Sequence, residues 1–280
     1  MVRITADFQQ ERVLHPAAIP LLSEFFTKGW ADPNKLNNSS RQTAILLQQV
    51  RQTFANALNV RPDEIEFLGE VDLGFQLGIA GLLKPESKLY YSKIDRQKVY
   101  AVAANEQNLG RSTTCLSVNG DGEIADFTCD TNDVICWQVA NGESGNLQKV
   151  IKNQALTFAD CTASGVDHLP QFDYQTALFD SSSWQGPAGF GVLVIRSAEK
   201  WRNPLPHNDL SRTPGTFSIP LALASSVALE NYLKEGDIRS KLKQEILAFI
   251  KSEITDVDIA STADGLAKFI SFSIKGIEAD

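Results

Sequence analysis

Seven short apolar runs punctuate the chain, at residues 64–68, 88–92, 113–118, 134–139, 155–160, 177–181 and 190–196. Several are apolar at consecutive rather than alternate positions, which is how strands buried on both faces of a parallel sheet read. Between them the period lengthens. Ala44, Leu47, Val50, Phe54, Ala57 and Leu58 recur at helical spacing after Ser39-Ser40. Ser40 suits an N-cap, and Pro62 stops any continuation. The alternation predicts an α/β fold, a mostly parallel seven-stranded sheet sandwiched by helices.

A second region begins near Trp201. Asn203-Pro204-Leu205-Pro206 and Arg212-Thr213-Pro214-Gly215 are turn-rich. Helices are expected over 219–234 and 238–254, the second with a solvated face of Arg239, Lys241, Lys243, Glu245, Lys251 and Glu253, and a last strand over 268–274. This divides the chain into a large domain, 1–200, and a small α+β domain, 201–280. There is no internal repeat.

Composition narrows the function. The 280 residues carry 26 basic and 34 acidic side chains, a net charge of −8. With a pI near 5.0, that argues against a protein that reads a nucleic-acid backbone. No apolar run reaches the ~18 residues of a membrane helix, and the first ten residues lack the basic and apolar regions of a secretory signal. Four cysteines without a pairing pattern point to a reducing cytoplasm. Three histidines make a histidine-rich metal site improbable, so none is expected.

Common catalytic signatures are missing. There is no GxxxxGK[ST], HExxH or CxxC, and Gly142-Glu143-Ser144-Gly145 has the wrong spacing for a nucleophile elbow. The glycine-rich stretch 186–191 runs into a strand rather than a helix, so it reads as a tight turn, not a dinucleotide loop.

The order of weaker motifs is more specific. Ile4-Thr5-Ala6-Asp7 with His15-Pro16, Gly29 to Leu36, Asp63 to Phe67, Ala140-Asn141-Gly142-Glu143-Ser144-Gly145, Asp160-Cys161-Thr162-Ala163, Ser182-Ser183-Trp184-Gln185-Gly186-Pro187, Arg212-Thr213-Pro214-Gly215-Thr216 and the end from Phe269 to Glu278 follow one another as in a known family. In that order the chain resembles the cysteine desulfurases, within the class V aminotransferases of the pyridoxal-phosphate (PLP) enzymes. The resemblance implies a PLP-transferase-like large domain with a truncated small one. It also implies a homodimer whose active sites lie at the subunit interface, and a protein partner in sulfur or iron–sulfur metabolism.

The departures bear on chemistry. The Schiff-base lysine of the family falls at Ser183 and the preceding histidine at Ser182; a hydroxyl cannot form an imine. The small residues that cradle the phosphate fall at Glu70, Val71 and Asp72, where carboxylates would repel a phosphate. The ring-stacking histidine falls at Arg96, the second turn asparagine at Gly142 and the glutamine after the strand-end aspartate at Ala163. The nucleophilic cysteine would follow Glu278, and Cys115, Cys129, Cys136 and Cys161 all precede that point. The connection from Gly145 to Ala155 is too short for the family's crossover helix.

Each site residue has two readings. Asp160 is the pyridinium partner, or a strand-end carboxylate bonded to nearby N–H groups. Ser181, Ser182 and Ser183 are a hydroxyl nest or a nucleophile, or a turn filling the vacated lysine site. Trp184 stacks on a ligand, or packs over the former cofactor cavity. Glu70 and Asp72 bind a cation, or lie in a solvated loop. Arg96 and Arg212 recognise an anion, or form surface ion pairs. Together with Asn141 these define a vestigial pocket with no catalytic residue and no cofactor expected. The resulting expectation is an inactive cysteine desulfurase-like protein that acts by association. The alternative is a PLP-dependent or other anion-binding transferase or lyase with a remodelled pocket.

Overall fold

In the computed structural model, residues 13–120, 122–206, 217–235 and 238–277 are described. Ile4 to Asp7, Arg212 with its turn, and Glu278 lie outside them. The chain opens with α1 (Ile19–Lys28) and α2 (Asn38–Leu58). The large sheet and its helices follow as β1 (Ile65–Leu68), α3 (Val71–Ala80), β2 (Leu89–Ser92), α4 (Gln97–Asn108), β3 (Thr113–Leu116), β4 (Val134–Gln138), β5 (Leu156–Asp160), β6 (Thr176–Asp180) and β7 (Gly191–Ile195). The last elements are α5 (Ile219–Lys234), α6 (Ile238–Glu253) and a small antiparallel pair, β8 (Val257–Ile259) and β9 (Phe272–Ile274).

The large sheet has the order β1-β7-β6-β5-β4-β2-β3. Strands β2 to β6 pair in parallel, while β7 is antiparallel to both β1 and β6. All seven apolar runs of the sequence are strands of this sheet. Both faces are covered, and the side chains sort by the strand period of two. Ala177, Phe179, Val192 and Val194 face α1, α2 and α5. Leu178, Leu193 and Ile195 face α3 on the other side, with α4 packed beside it. No helix spans the connection from β4 to β5.

Helix α3 departs from one of the two readings of Glu70 and Asp72, that they lie in a solvated loop. Glu70 is its N-cap, its side chain accepting from the Asp72 N–H at 3.2 Å. The helix lies close against the sheet because Gly74 and Gly78 lack side chains. A Cβ at Gly74 would meet the Leu178 side chain at 2.3 Å, and one at Gly78 would meet Phe158 at 2.5 Å. The two glycines also weaken the apolar stripe by which a helix is recognised.

Other expectations shift. The last strand is confined to Phe272–Ile274. Helix α2 starts earlier than Ser40. Asn37 is the cap, its Oδ1 accepting from the Ser40 N–H at 2.9 Å, and the Ser40 Oγ is buried without a partner. An Asn37→Ala variant should therefore lose about 1 kcal/mol of stability in urea unfolding. Ser40→Ala should leave the midpoint nearly unchanged or raise it, since it removes an unsatisfied buried hydroxyl.

Candidate functional site

The carboxyl ends of parallel strands are where open α/β sheets hold ligands. Here β2, β4 and β5 deliver Ser92, Gln138 and Asp160 to one region. Asp160 is 4% exposed. Its Oδ1 accepts from the Thr162 N–H at 2.9 Å and from Thr162 Oγ1 at 2.6 Å. Its Oδ2 lies 3.5 Å from Arg96 Nε. The carboxylate is bonded to a local N–H, as the second of its two readings has it, and it also faces the chain's own Arg96. Arg96 is no ordinary surface ion pair, because its partner is buried.

Arg96 is positioned from two sides. It is the N-cap residue of α4, in extended backbone. Its guanidinium lies against the turn after β4, where Gly142 leaves room; a Cβ there would start 2.7 Å from Arg96 Nη2. Asn141 holds that turn. Its Oδ1 accepts from the N–H groups of Glu143 and Ser144, both at 2.9 Å, and its Nδ2 donates to Gln138 Oε1 at 3.2 Å.

Gln138 continues the network inward. Its Nε2 donates to Ile94 O at 2.8 Å and to Asp95 Oδ1 at 2.9 Å, while Asp95 Oδ2 accepts from the Ser92 N–H at 2.6 Å. No sequence signal marked Asp95 or Gln138.

The remaining expected site residues are spread around this centre. Ser181–Trp184 form one 3-10 turn after β6, closed by the Gly186 N–H donating to Ser181 O at 2.9 Å. Asp180 Oδ1 accepts from the Ser182 N–H at 2.9 Å. Ser183 Oγ donates to Asp180 O at 2.7 Å, and its neighbour Gly165, at φ +55°, approaches so closely that a Cβ would fall 2.2 Å from that Oγ. Trp184 corrects an expectation. It turns away from the strand ends into the core, fully buried against Phe54, with Nε1 donating to Ser225 Oγ at 3.1 Å. At the first turn of α3, Asp72 pairs with Lys98 at 2.7 Å. Among the described residues no group of three or more His, Cys, Asp or Glu could hold a metal ion.

Lys268 was missed by sequence reasoning. It comes from the segment between β8 and β9 and places Nζ 3.0 Å from Ser183 O and 3.0 Å from Asp167 Oδ2. Burial pushes its amine below the ordinary lysine range, and the Asp167 carboxylate works against that.

The four thiols are unpaired. Cys136 and Cys161 are buried, which raises both well above the ordinary thiol range. Cys115 is exposed on the edge strand β3.

Burial raises Asp95 to about 6, against the stabilising Ser92 and Gln138 hydrogen bonds. Its folded value exceeds the ~3.9 of an unfolded aspartate, so between the two the folded state holds a proton that the unfolded state has lost. Stability must fall as pH rises through that window, by about 3 kcal/mol from this group alone. Urea unfolding at pH 4 and pH 7 should show this contribution in the wild type, and Asp95→Asn should remove it.

No family model matches the chain. It is 22% identical over 306 residues to a cysteine desulfurase IscS of Clostridium botulinum, covering 99% of this chain and 77% of the relative. It is 24% identical over 265 residues to a cysteine desulfurase of Trichormus azollae, covering 84% and 66%. Among solved structures, a NifS-like protein superposes with a TM-score of 0.84 at 18% identity, covering 95% of this chain and 80% of the other. DndA from Streptomyces lividans gives 0.81 at 15% identity, covering 100% and 86%. The chain is thus similar in sequence to cysteine desulfurases and has the fold of the NifS-like class V aminotransferases.

Proposed function

We propose that this chain is a catalytically inactive cysteine desulfurase-like protein that acts by association with other protein chains. One observation carries the reading. Asp160, which the resemblance assigns to the cofactor ring, is already held by the chain's own Arg96 and Thr162.

The other positions agree. The family is PLP-dependent, but the residues present do not fit that group. Ser183 offers a hydroxyl engaged with Asp180 O where an imine-forming amine is needed. The α3 N-terminus, which would receive the phosphate, is capped by the Glu70 carboxylate, with Asp72 in its first turn. At about 4 Å and an effective dielectric of about 20, each carboxylate–phosphate pair would cost about 4 kcal/mol before relaxation and before the offset from Lys98. The buried Cys136 and Cys161 thiols are poorly placed to act as sulfur acceptors. The exposed side chain of Arg96 is the feature that favours the alternative, an anion-binding pocket.

The association reading draws on helix α1. Its Leu21, Leu22 and Phe25 pack part-buried on the core, while Ile19 and Phe26 are exposed. Phe26 and Trp30 meet edge to face in solvent, and Ile45 and Leu46 of α2 are exposed. Exposed apolar surface of this kind marks an interaction face, here one for a second copy. In this reading residues 201–280 form the small domain, the protein works in a reducing compartment, and its further partner belongs to sulfur or iron–sulfur chemistry. Among the described residues no helix is long and apolar enough to cross a membrane.

Light scattering at micromolar concentration should give twice the 30.7 kDa mass of the chain; a single-chain mass counts against the dimer.

L-cysteine with added PLP should yield no alanine above a buffer blank, in protein free of contaminating desulfurase; turnover above the blank defeats the inactive reading.

Repair should need more than the amine. Ser183→Lys alone should bind PLP weakly in a spectroscopic titration. Ser183→Lys with Glu70→Gly and Asp72→Thr should bind at least tenfold better, about 1.4 kcal/mol. Low-micromolar binding by the single variant would show that the carboxylates at α3 do not matter.

A further inference from the structure

A cavity of about 450 Å³ opens between the α5–α6 corner, the turns after β4 and β5, and the segment between β8 and β9. That size is usual for a small-molecule site. Leu147, Leu233, Leu266 and Ala267 give it an apolar wall. Its charged lining is Asp167, Arg239 and Asp264, beside the imidazole of His168.

Arg239 is held in place from below. Tyr232, 3% exposed, donates its hydroxyl proton to the Asp167 carboxylate, with distances of 2.8 and 2.9 Å to its two oxygens. Burial and that carboxylate push the phenol above its ordinary range, so it stays the donor. Lys268 Nζ, 3.0 Å from Asp167 Oδ2, offsets the charge of the carboxylate. The anchored Tyr232 ring is a platform on which the Arg239 guanidinium stacks, 3.7 Å from the ring centroid.

Stacking fixes the plane of the guanidinium but uses none of its N–H groups. Its ion-pair partner, Glu235, is turned to His15, with Oε1 2.9 Å from Nε2. Glu235 Oε2 stays 3.7 Å from Arg239 Nη1, beyond hydrogen-bond distance. A pre-set fork of donors therefore lines the cavity, and among the described residues no acceptor lies within hydrogen-bond distance of it.

We propose that this cavity binds a small monocarboxylate with an apolar body. The ligand's carboxylate lies edge-on to Arg239 and accepts two parallel N–H bonds. Its apolar body covers Leu147, Leu233 and Leu266. Asp264 repels in proportion to ligand charge, so a singly charged carboxylate is preferred to a doubly charged phosphate. The cavity shares no residue with the network of Asp160, Arg96, Gln138 and Asn141, so it fills whether or not the strand ends take PLP.

Calorimetric titration of the full chain with hexanoate tests this, with hexanamide as the uncharged match. Hexanoate should bind with a Kd of about 1 mM or tighter, and hexanamide and inorganic phosphate at least tenfold more weakly. Hexanoate should also slow amide exchange of the wild type at 232–235 and 264–267. Arg239→Gln should lose at least tenfold in hexanoate affinity. The ligand comparison and the exchange map need no variant. Any one of four results overturns the proposal: no hexanoate binding at about 10 mM, hexanamide or phosphate binding as tightly as hexanoate, an unchanged Kd in folded Arg239→Gln, or protection that leaves 232–235 and 264–267 untouched.

Discussion

The charge of Asp160 is the constraint on which the strand-end region depends. A carboxylate 4% exposed at the end of a central strand costs several kcal/mol unless it is bonded and faced by a cation. In this chain Thr162 supplies the bonds and Arg96 the charge. That choice propagates. Arg96 can lie there because Gly142 has no side chain, and Gly142 sits in a turn held by Asn141. Asn141 leans on Gln138, and Gln138 on the buried Asp95. Asp160, Arg96, Asn141, Gln138 and Asp95 are spent on one another, while the buried Ser92 Oγ has no partner.

The scaffold around it is conserved in form by ordinary core packing rather than by chemistry. Phe54, Phe67, Phe179, Trp184 and Phe190 fill one face of the sheet, and Phe75, Phe158, Leu178 and Leu193 the other. Each such side chain contributes on the order of 1.5–3 kcal/mol when buried. None of them depends on a bound ligand, so the fold can persist while the site changes. Trp184 illustrates the separation: it stands one residue after Ser183 yet belongs to the core.

Much of this was legible in the sequence, for identifiable reasons. The seven strands read clearly because they are buried on both faces and so are apolar throughout. Helices α5 and α6 were visible from their spacing. Helix α3 was not, because Gly74 and Gly78, which let it approach the sheet, interrupt the helical pattern. Ser40 resembled a cap because serine is a common one, but Asn37 lies where the chain turns. The positions of Asp160, Arg96 and Ser183 came from the order of motifs. Their partners did not, since Arg96 and Asp160 are 64 residues apart in number and pairing across a sheet leaves no local signal. Lys268 was hidden for the same reason, its acceptors at Ser164 and Ser183 lying far back in the chain.

The account stands most directly on the interaction between Arg96 and Asp160. A double-mutant cycle of Arg96→Ala, Asp160→Asn and the two together, read by urea unfolding at pH 7, isolates it from the Thr162 bonds. A coupling of at least about 1 kcal/mol is expected, because one partner is buried and would otherwise be left without a counter-charge. Additive effects, within about 0.3 kcal/mol, would mean that the site's charge is not held by the chain itself and would contradict the account.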